Sequence, residues 1–156
     1  MAKDYKLSPH FWLSELVKSE TATRLEIDNW PTEERIIQNL RLVATRILEP
    51  VRMHYGIPFS PNSGYRCLDL NRELGSKDTS QHVQGEATDF ELPGIDNFAL
   101  ASWCEKNLDF DQLILEFYTP GYPRSGWVHC SYFNPVNNRH SVLTISKGKV
   151  HSGLKN

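Results

Sequence analysis

The sequence predicts an α+β domain in which a small central antiparallel sheet is flanked by helices. One observation is a long segment near residues 32–55 whose apolar positions recur at helical spacing. The other is a series of short apolar runs in the second half, separated by turns rich in proline, glycine and asparagine. The 156 residues contain no linker, internal repeat or low-complexity segment. We therefore expect residues 1–156 to form a single domain of ordinary size.

Three helices are predicted. A short apolar segment favours the first over residues 8–17. The second covers about 32–55, where Pro31 suits the first turn and Pro50 should bend the helix or end it early. The third covers residues 97–107, and together these helices would cover one face of the sheet.

Five apolar runs bounded by turns predict strands. Their ranges are 59–63, 87–91, 112–118, 126–133 and 141–146. Strand alternation places Trp127, His129 and Ser131 on one face of their strand. If the strands that carry Asp89, Glu116 and His129 are neighbours, these three side chains converge in one cleft.

Composition excludes several classes of protein. The net charge of −2 leaves no basic stripe for nucleic acid, and no apolar run approaches the ~20 residues of a membrane-spanning helix. The first residues, Met1 to Lys6, lead into no apolar segment typical of a secretory signal peptide. We therefore expect cytoplasmic synthesis.

The three cysteines are odd in number and lack metal-site spacing, so they predict no disulfide framework. Cys67 and Cys130 lie near the candidate site in sequence, but both occupy positions where packing residues are expected. Buried free thiols are the favoured interpretation of Cys67, Cys104 and Cys130. Four histidines have no ligand-like neighbours, and most of them are expected to be exposed: His10, His54, His140 and His151.

The other two histidines, His82 and His129, have a different context. His82 precedes Asp89 by seven residues, and His129 lies in an apolar run where an unpaired imidazole would be costly. Two histidines and a carboxylate fill three tetrahedral positions on zinc and leave the fourth for water, as in hydrolytic sites. Taken singly, each residue has a plainer interpretation: a solvated histidine, a turn aspartate and a hydrogen-bonded core histidine.

The residues around these positions form an ordered series. It comprises Ser63-Gly64-Tyr65-Arg66, Asn71, Ser80-Gln81-His82, Gly85, Ala87, Asp89 and Trp127-Val128-His129. This series resembles the M15 family of zinc D-alanyl-D-alanine carboxypeptidases, which implies a hedgehog/DD-peptidase-like fold. The amino end resembles the phage-type branch of that family, through Phe11 to Leu16, Thr21 to Arg24 and Ile27 to Asn29. The likeness covers nearly the whole chain.

The resemblance implies roles for individual residues. His82, Asp89 and His129 match the family's three zinc ligands. Arg66 matches an arginine that engages a substrate carboxylate, for which the rigid fork of guanidinium donors is well suited. The alternative for Arg66 is a surface ion pair with Asp69 or Glu73.

Several family members place a catalytic glutamate three residues before the last histidine, where this chain has Gly126. The best replacement is Glu116, a charged residue in an otherwise apolar run. Desolvation would raise the pKa of Glu116 and suit it to proton transfer. The alternative is an edge-strand glutamate that points to solvent.

Further residues are candidates for substrate binding. Ser80 and Gln81 would position substrate or the ligand loop, or serve only the local turn. Trp127, with Tyr118 and Tyr122, frames the loop 119–125, which could wall a substrate groove. Exposed loop tyrosines without a function are the alternative.

These observations favour a zinc metallopeptidase that acts as a monomer on peptidoglycan stem or cross-bridge peptides, without nucleic acid or membrane insertion. A phage or prophage endolysin would fit cytoplasmic synthesis, because such enzymes reach the cell wall when another protein, such as a holin, opens the membrane. Carboxypeptidase and endopeptidase cleavage share this chemistry, so the bond stays open. The alternative is a non-catalytic zinc domain that recognises the wall or serves a structural role.

Overall fold

A five-stranded sheet organises the chain, of which the computed structural model describes residues 3–156. The strand order is β1-β3-β2-β4-β5. The strands are β1 (Ala87–Phe90), β2 (Gln112–Glu116), β3 (Trp127–Ser131), β4 (Ser141–Ser146) and β5 (Lys149–Ser152). The α+β prediction is confirmed.

The sheet is mixed rather than antiparallel, because β4 pairs parallel to β2 while the other pairs are antiparallel. The cause lies in residues 132–140, which return the chain to the start of β2. The Asp111 carboxylate accepts hydrogen bonds from Nε and Nη2 of Arg139 at 3.0 and 2.9 Å, and Ser141 N–H donates to the Asp111 carbonyl. Since β4 begins beside the start of β2, it has to run in the same direction.

Short helices surround one long helical segment, which covers residues 34–55 without a break. The helices are α1 (Leu13–Val17), α2 (Glu20–Arg24), α3 (Glu34–Val43), a π-helical turn (Ala44–Leu48), α4 (Glu49–Tyr55), α5 (Leu68–Glu73), a 3₁₀ helix (Gln81–Gln84) and α6 (Asn97–Asn107). None of the helices in residues 3–156 is long and apolar enough to cross a membrane.

The long helical segment continues past Pro50, so of the two expected outcomes, a bend or an early end, the early end is wrong. The π-helical turn stands directly before this proline. Because proline has no N–H to donate, a widened turn at this place accommodates the missing bond without ending the helix. The segment ends at Gly56, whose φ of 65° lies in the left-handed region that glycine adopts at low cost.

The predicted strand 59–63 is absent apart from an isolated bridge between Ser63 and Asp89. Pro58 and Pro61 explain this error, since each removes a donor that a ladder needs. The first helix is shorter than predicted, and α2, α5 and β5 were not predicted. The segments α6 and β4 have the predicted bounds.

The two faces of the sheet differ in chemistry. One face buries Leu113, Leu115 and Val128 against α6 and the long helical segment. Each fully buried residue of this size contributes roughly 1.5–3 kcal/mol. Alternation sends the intervening side chains to the opposite face. Asp89, His129 and Ile114 form one row across that face, and Glu116 lies opposite Trp127 in the next row.

We predict that Asp111→Asn lowers the free energy of unfolding by about 1.5–3 kcal/mol at pH 7, because a buried, charge-assisted hydrogen-bond set is weakened. Burial raises the pKa of Asp111, but the hydrogen bonds from Arg139 and Gln81 outweigh it and lower the pKa below 3.8. The stabilisation is therefore present above about pH 4 and is lost as the pH falls through the folded-state pKa.

Urea denaturation between pH 3 and pH 7 measures this effect, with Asp109→Asn as the control. Asp109 is a half-exposed neighbour that contacts His140 at the surface. A difference between Asp111→Asn and the parent that does not shrink at low pH would contradict the assignment.

Candidate metal centre

The pairing of β1 with β3 brings two candidate ligands face to face. Asp89 and His129 are partners in the antiparallel register, and Nδ1 of His129 lies 2.9 Å from Oδ1 of Asp89. Asp89 is buried and His129 is nearly so. Both side chains lie on the face opposite the apolar core, so the sheet alone supplies two of the three predicted ligands.

The third candidate ligand, His82, is buried on the 3₁₀ helix. Its Nδ1 lies 2.6 Å from the carbonyl oxygen of Gly64, which only accepts, so Nδ1 carries the proton and donates. The lone pair is thereby placed on Nε2, which lies 3.4 Å from Oδ2 of Asp89. Metal-binding histidines are commonly oriented by a backbone carbonyl in this manner.

Position 64 has to be glycine because the loop there lies directly against the backbone of α1. A Cβ at this position would overlap the backbone carbonyl of Leu16, at the end of α1. The next residue, Tyr65, donates its N–H to that same carbonyl at 2.7 Å. The glycine therefore lets the loop 61–66 press against α1 and present its carbonyl to His82.

The three side chains fit a tetrahedral metal site. Their candidate ligand atoms all lie within 4.8 Å of one another. Around zinc, with ligand bonds of about 2.0–2.1 Å, neighbouring ligand atoms are ~3.3 Å apart. Nε2 of His82 lies 3.4 Å from Oδ2 of Asp89 and Nδ1 of His129 lies 2.9 Å from Oδ1, so each imidazole is near this spacing from one oxygen of the carboxylate. Two imidazoles and one carboxylate can therefore hold zinc with a fourth position open.

The surroundings hold two of these groups in the protonation states that bind metal. Burial opposes ionisation of Asp89, but the hydrogen bond from His129 and the nearby His82 imidazole outweigh it and keep the carboxyl pKa well below its usual range. Burial also lowers the pKa of His82, against the opposing effect of Asp89. An ionised carboxylate and a neutral imidazole are the ligand forms that a metal requires.

Arg66 lies beside the candidate ligands rather than in the predicted alternative pair with Asp69 or Glu73. Its Nη2 is 3.4 Å from Oδ2 of Asp89, and its Nε donates to Ser63 Oγ at 3.2 Å. The backbone N–H of Arg66 donates to the carbonyl of His82. Arg66 is thus positioned by contacts with Ser63, with the backbone of His82 and with the Asp89 carboxylate.

Glu116, the last residue of β2, shares a face with His129. Burial raises its pKa, and the fields of His129 and Arg66 act in the opposite direction. The hydrogen bonds found in residues 3–156 include none to its carboxylate. The group is therefore a half-buried carboxylate on the face that carries Asp89 and His129, without a hydrogen-bond partner among the described residues.

Gly126 explains why no glutamate stands three residues before His129. Its φ of 66° lies in the left-handed region, and a Cβ there would overlap the carbonyl oxygen of Glu116. A side chain at this position would require the backbone to shift. The same contact brings Glu116 to the place where β3 begins, so a carboxylate reaches this end of the site from the neighbouring strand.

Three residues predicted to bind substrate have contacts of their own. Ser80 Oγ accepts from the N–H of His82, and the Gln81 amide donates to Asp111 Oδ2 at 2.9 Å. Of the three roles foreseen for these residues, Ser80 thus serves the local turn that begins the 3₁₀ helix, and Gln81 ties that helix to Asp111. Trp127 is half-buried, and its ring lies 5.4 Å from that of Phe117. Tyr122, on the adjoining loop, is exposed.

Asn29 is a supporting residue that the sequence interpretation missed. This buried amide donates to the carbonyls of Val17 and Tyr65 at 2.7 and 3.0 Å, and it accepts from the N–H of Cys67 at 2.8 Å. It therefore ties the end of α1 to the loop that carries Gly64 and Arg66. Its membership of the Ile27 to Asn29 motif was the available signal.

The three cysteines and the other four histidines lie outside the cluster of His82, Asp89 and His129. Cys104 and Cys130 are buried free thiols, but Cys67 is only half-buried, which corrects the prediction for that residue. Among residues 3–156, the cluster able to hold a metal contains no cysteine. The predicted exposure is confirmed for His10, His54, His140 and His151.

Comparison with known proteins identifies one family. The family model described as Peptidase M15 matches residues 9–131, which include the metal cluster, Arg66 and Glu116. The matched region ends with β3, before β4 and β5. No curated protein matches the chain.

We predict that Gly64→Ala weakens zinc binding by about 10–100-fold, the usual effect of disturbing a group that orients a ligand. The added methyl would push the loop away from Leu16 and displace the carbonyl that orients His82. Competition with a chromophoric chelator measures the affinity.

Gly56→Ala is the matched control, because the φ of 65° at this position would strain an alanine while the space around it is open. It should lower stability without weakening zinc binding. Equal losses of zinc affinity in both variants would mean that general destabilisation, rather than the orientation of His82, is responsible.

Proposed function

The chain belongs to the peptidase M15 family, and we propose that it is a zinc metallopeptidase that hydrolyses peptide bonds in peptidoglycan stem or cross-bridge peptides. The observation that carries this proposal is the convergence of His82, Asp89 and His129 within 4.8 Å. A carboxylate and a guanidinium border the same cluster, so the parts needed for amide hydrolysis lie together.

In this proposal His82 Nε2, the Asp89 carboxylate and the His129 imidazole hold the ion. When bound, zinc supplies Lewis acidity, which polarises a carbonyl and makes water a competent nucleophile near neutral pH. The Gly64 carbonyl keeps the His82 ring in the ligating tautomer. The apolar core behind the sheet keeps the positions of Asp89 and His129 rigid.

Glu116 is proposed as the general acid and base. Its carboxylate accepts a proton from the attacking water and returns it to the leaving amine. Two features support this role: its placement on the face of His129, and the absence of a structural hydrogen bond among the described residues. The raised pKa, caused by burial, favours a group that both accepts and releases protons.

Arg66 is proposed to bind a carboxylate of the substrate. The contacts with Ser63 and Asp89 occupy Nε and one amino group of its fork, and the Asp89 contact is long at 3.4 Å. The other amino group, Nη1, stays available for a carboxylate. Fixing the peptide beside the metal ligands would align its scissile bond.

A non-catalytic zinc domain is the second candidate, and Gly126 is the observation that favours it. Glu116 weakens this candidate, since a carboxylate reaches the same end of the site from β2. We retain the enzyme as the main proposal. The phage-type setting, release to the wall and monomeric state are proposed on the sequence resemblance alone.

Purified peptidoglycan fragments should be cleaved by the protein in a chelator-sensitive and zinc-restorable manner. Mass spectrometry of the products measures the cleavage and identifies the bond. Zinc binding without any cleavage would instead favour the non-catalytic domain.

We predict that Glu116→Gln retains zinc binding and lowers kcat by about 10²–10⁴-fold, the usual contribution of a general acid and base. The amide has the shape of the carboxylate but cannot accept the proton. Zinc stoichiometry and kcat are measured together, with Glu105→Gln on the exposed side of α6 as the control. Unchanged turnover in Glu116→Gln would assign proton transfer to another group.

A further inference from the structure

A cavity of about 840 Å³ opens beside the metal centre. Its walls come from three segments: residues 18–24, residues 61–66 and α5. Cavities that hold small ligands usually have about 300–1,000 Å³. The volume therefore exceeds what one alanine residue would occupy and suits a peptide of several residues.

The cavity and the metal centre share residues. Ser63 and Arg66 line the cavity, and both contact Asp89. The backbone of Ser63 pairs with that of Asp89 in an isolated bridge. A peptide lying in the cavity would therefore continue directly to the candidate ligands.

The charges lining the cavity are mainly positive. Three basic residues, Lys18, Arg24 and Arg66, line it together with one acidic residue, Glu20. Within residues 3–156, neither Lys18 nor Arg24 forms an ion pair; the Lys18 amine donates to Ser60 Oγ at 3.0 Å. Two exposed cations therefore retain their charge for a ligand.

Neutral side chains form the rest of the lining. Hydroxyl and amide groups belong to Ser19, Thr21, Thr23, Asn62 and Ser63, and apolar surface comes from Pro61, Tyr65, Leu70 and Leu74. The Thr23 hydroxyl donates to the Ser19 carbonyl and the Asn62 amide donates to Glu91, whereas the Ser19 and Ser63 hydroxyls accept from N–H groups and can still donate to a ligand. The lining therefore combines cations and hydroxyl donors with apolar surface, which suits a peptide that carries a carboxylate.

We propose that this cavity binds the part of the substrate on the carboxyl side of the scissile bond, as a segment of two or more residues that carries a free carboxylate. Lys18 and Arg24 bind that carboxylate, next to Arg66. This inference rests on the proposed peptidase function and deepens it. The protein is then an endopeptidase that selects acidic peptides, since a single departing alanine would leave most of the cavity unused.

The test compares two peptidoglycan stem peptides that differ at one group. One contains D-glutamate with a free α-carboxylate, and the other contains the corresponding α-amide, which keeps the shape but removes the charge. Binding is measured by calorimetry on the zinc-loaded Glu116→Gln protein, and kcat/KM on the zinc-loaded parent.

The expected result is at least 10-fold tighter binding of the acid than of the amide. The double variant Lys18→Met/Arg24→Met should abolish this preference by weakening the binding of the acid. The control Arg46→Met/Lys106→Met removes two exposed charges outside the cavity and should keep the preference. Equal binding of both peptides by the Glu116→Gln protein, or a preference that survives when Lys18 and Arg24 are also replaced in it, would overturn the proposal.

The two proposals fail in different ways. If the zinc-loaded parent cleaves no peptide but prefers the acid through Lys18 and Arg24, hydrolysis is refuted and the cavity assignment stands. If the parent cleaves acid and amide with equal kcat/KM, hydrolysis stands and the cavity assignment is refuted.

Discussion

The antiparallel register of β1 on β3 is the constraint on which the rest of the site depends. It sets Asp89 opposite His129, with a 2.9 Å contact between their side chains. Because side chains alternate along a strand, a shift of one residue would turn one of them toward the apolar core. The burial of Phe90, Val128 and Cys130 on the other face opposes such a shift. Packing in the core thus protects the geometry of the metal centre.

Polar side chains connect the third ligand to this sheet. The Asp111 carboxylate accepts hydrogen bonds from the Arg139 guanidinium and from the Gln81 amide. This one buried group therefore joins the segment before β4 to the 3₁₀ helix that carries His82. On the opposite side, Asn29 ties α1 to the loop of Gly64. The position of His82 therefore depends on contacts with distant segments of the chain.

The backbone around Gly126 determines which strand can supply a carboxylate at that end of the site. Gly126 has to stay small because β3 begins against the carbonyl of Glu116. The carboxylate at that end of the cleft accordingly comes from β2. Basic, hydroxyl and apolar side chains line a cavity that meets the site at Ser63 and Arg66, the two lining residues that contact Asp89.

Local pattern determined much of this protein from sequence alone: the helical spacing behind the long segment and α6, the run that forms β4, and the series that marks His82, Asp89 and His129. Local pattern failed where long-range contacts decide. The parallel direction of β4 follows from the Asp111 and Arg139 contact, and the partner of Arg66 depends on a loop folded against α1. The passage of the helix through Pro50 depends on a π-helical turn that apolar spacing does not reveal. Side-chain periodicity is a property of neighbouring residues, whereas strand direction and ion-pair partners arise only when distant segments meet.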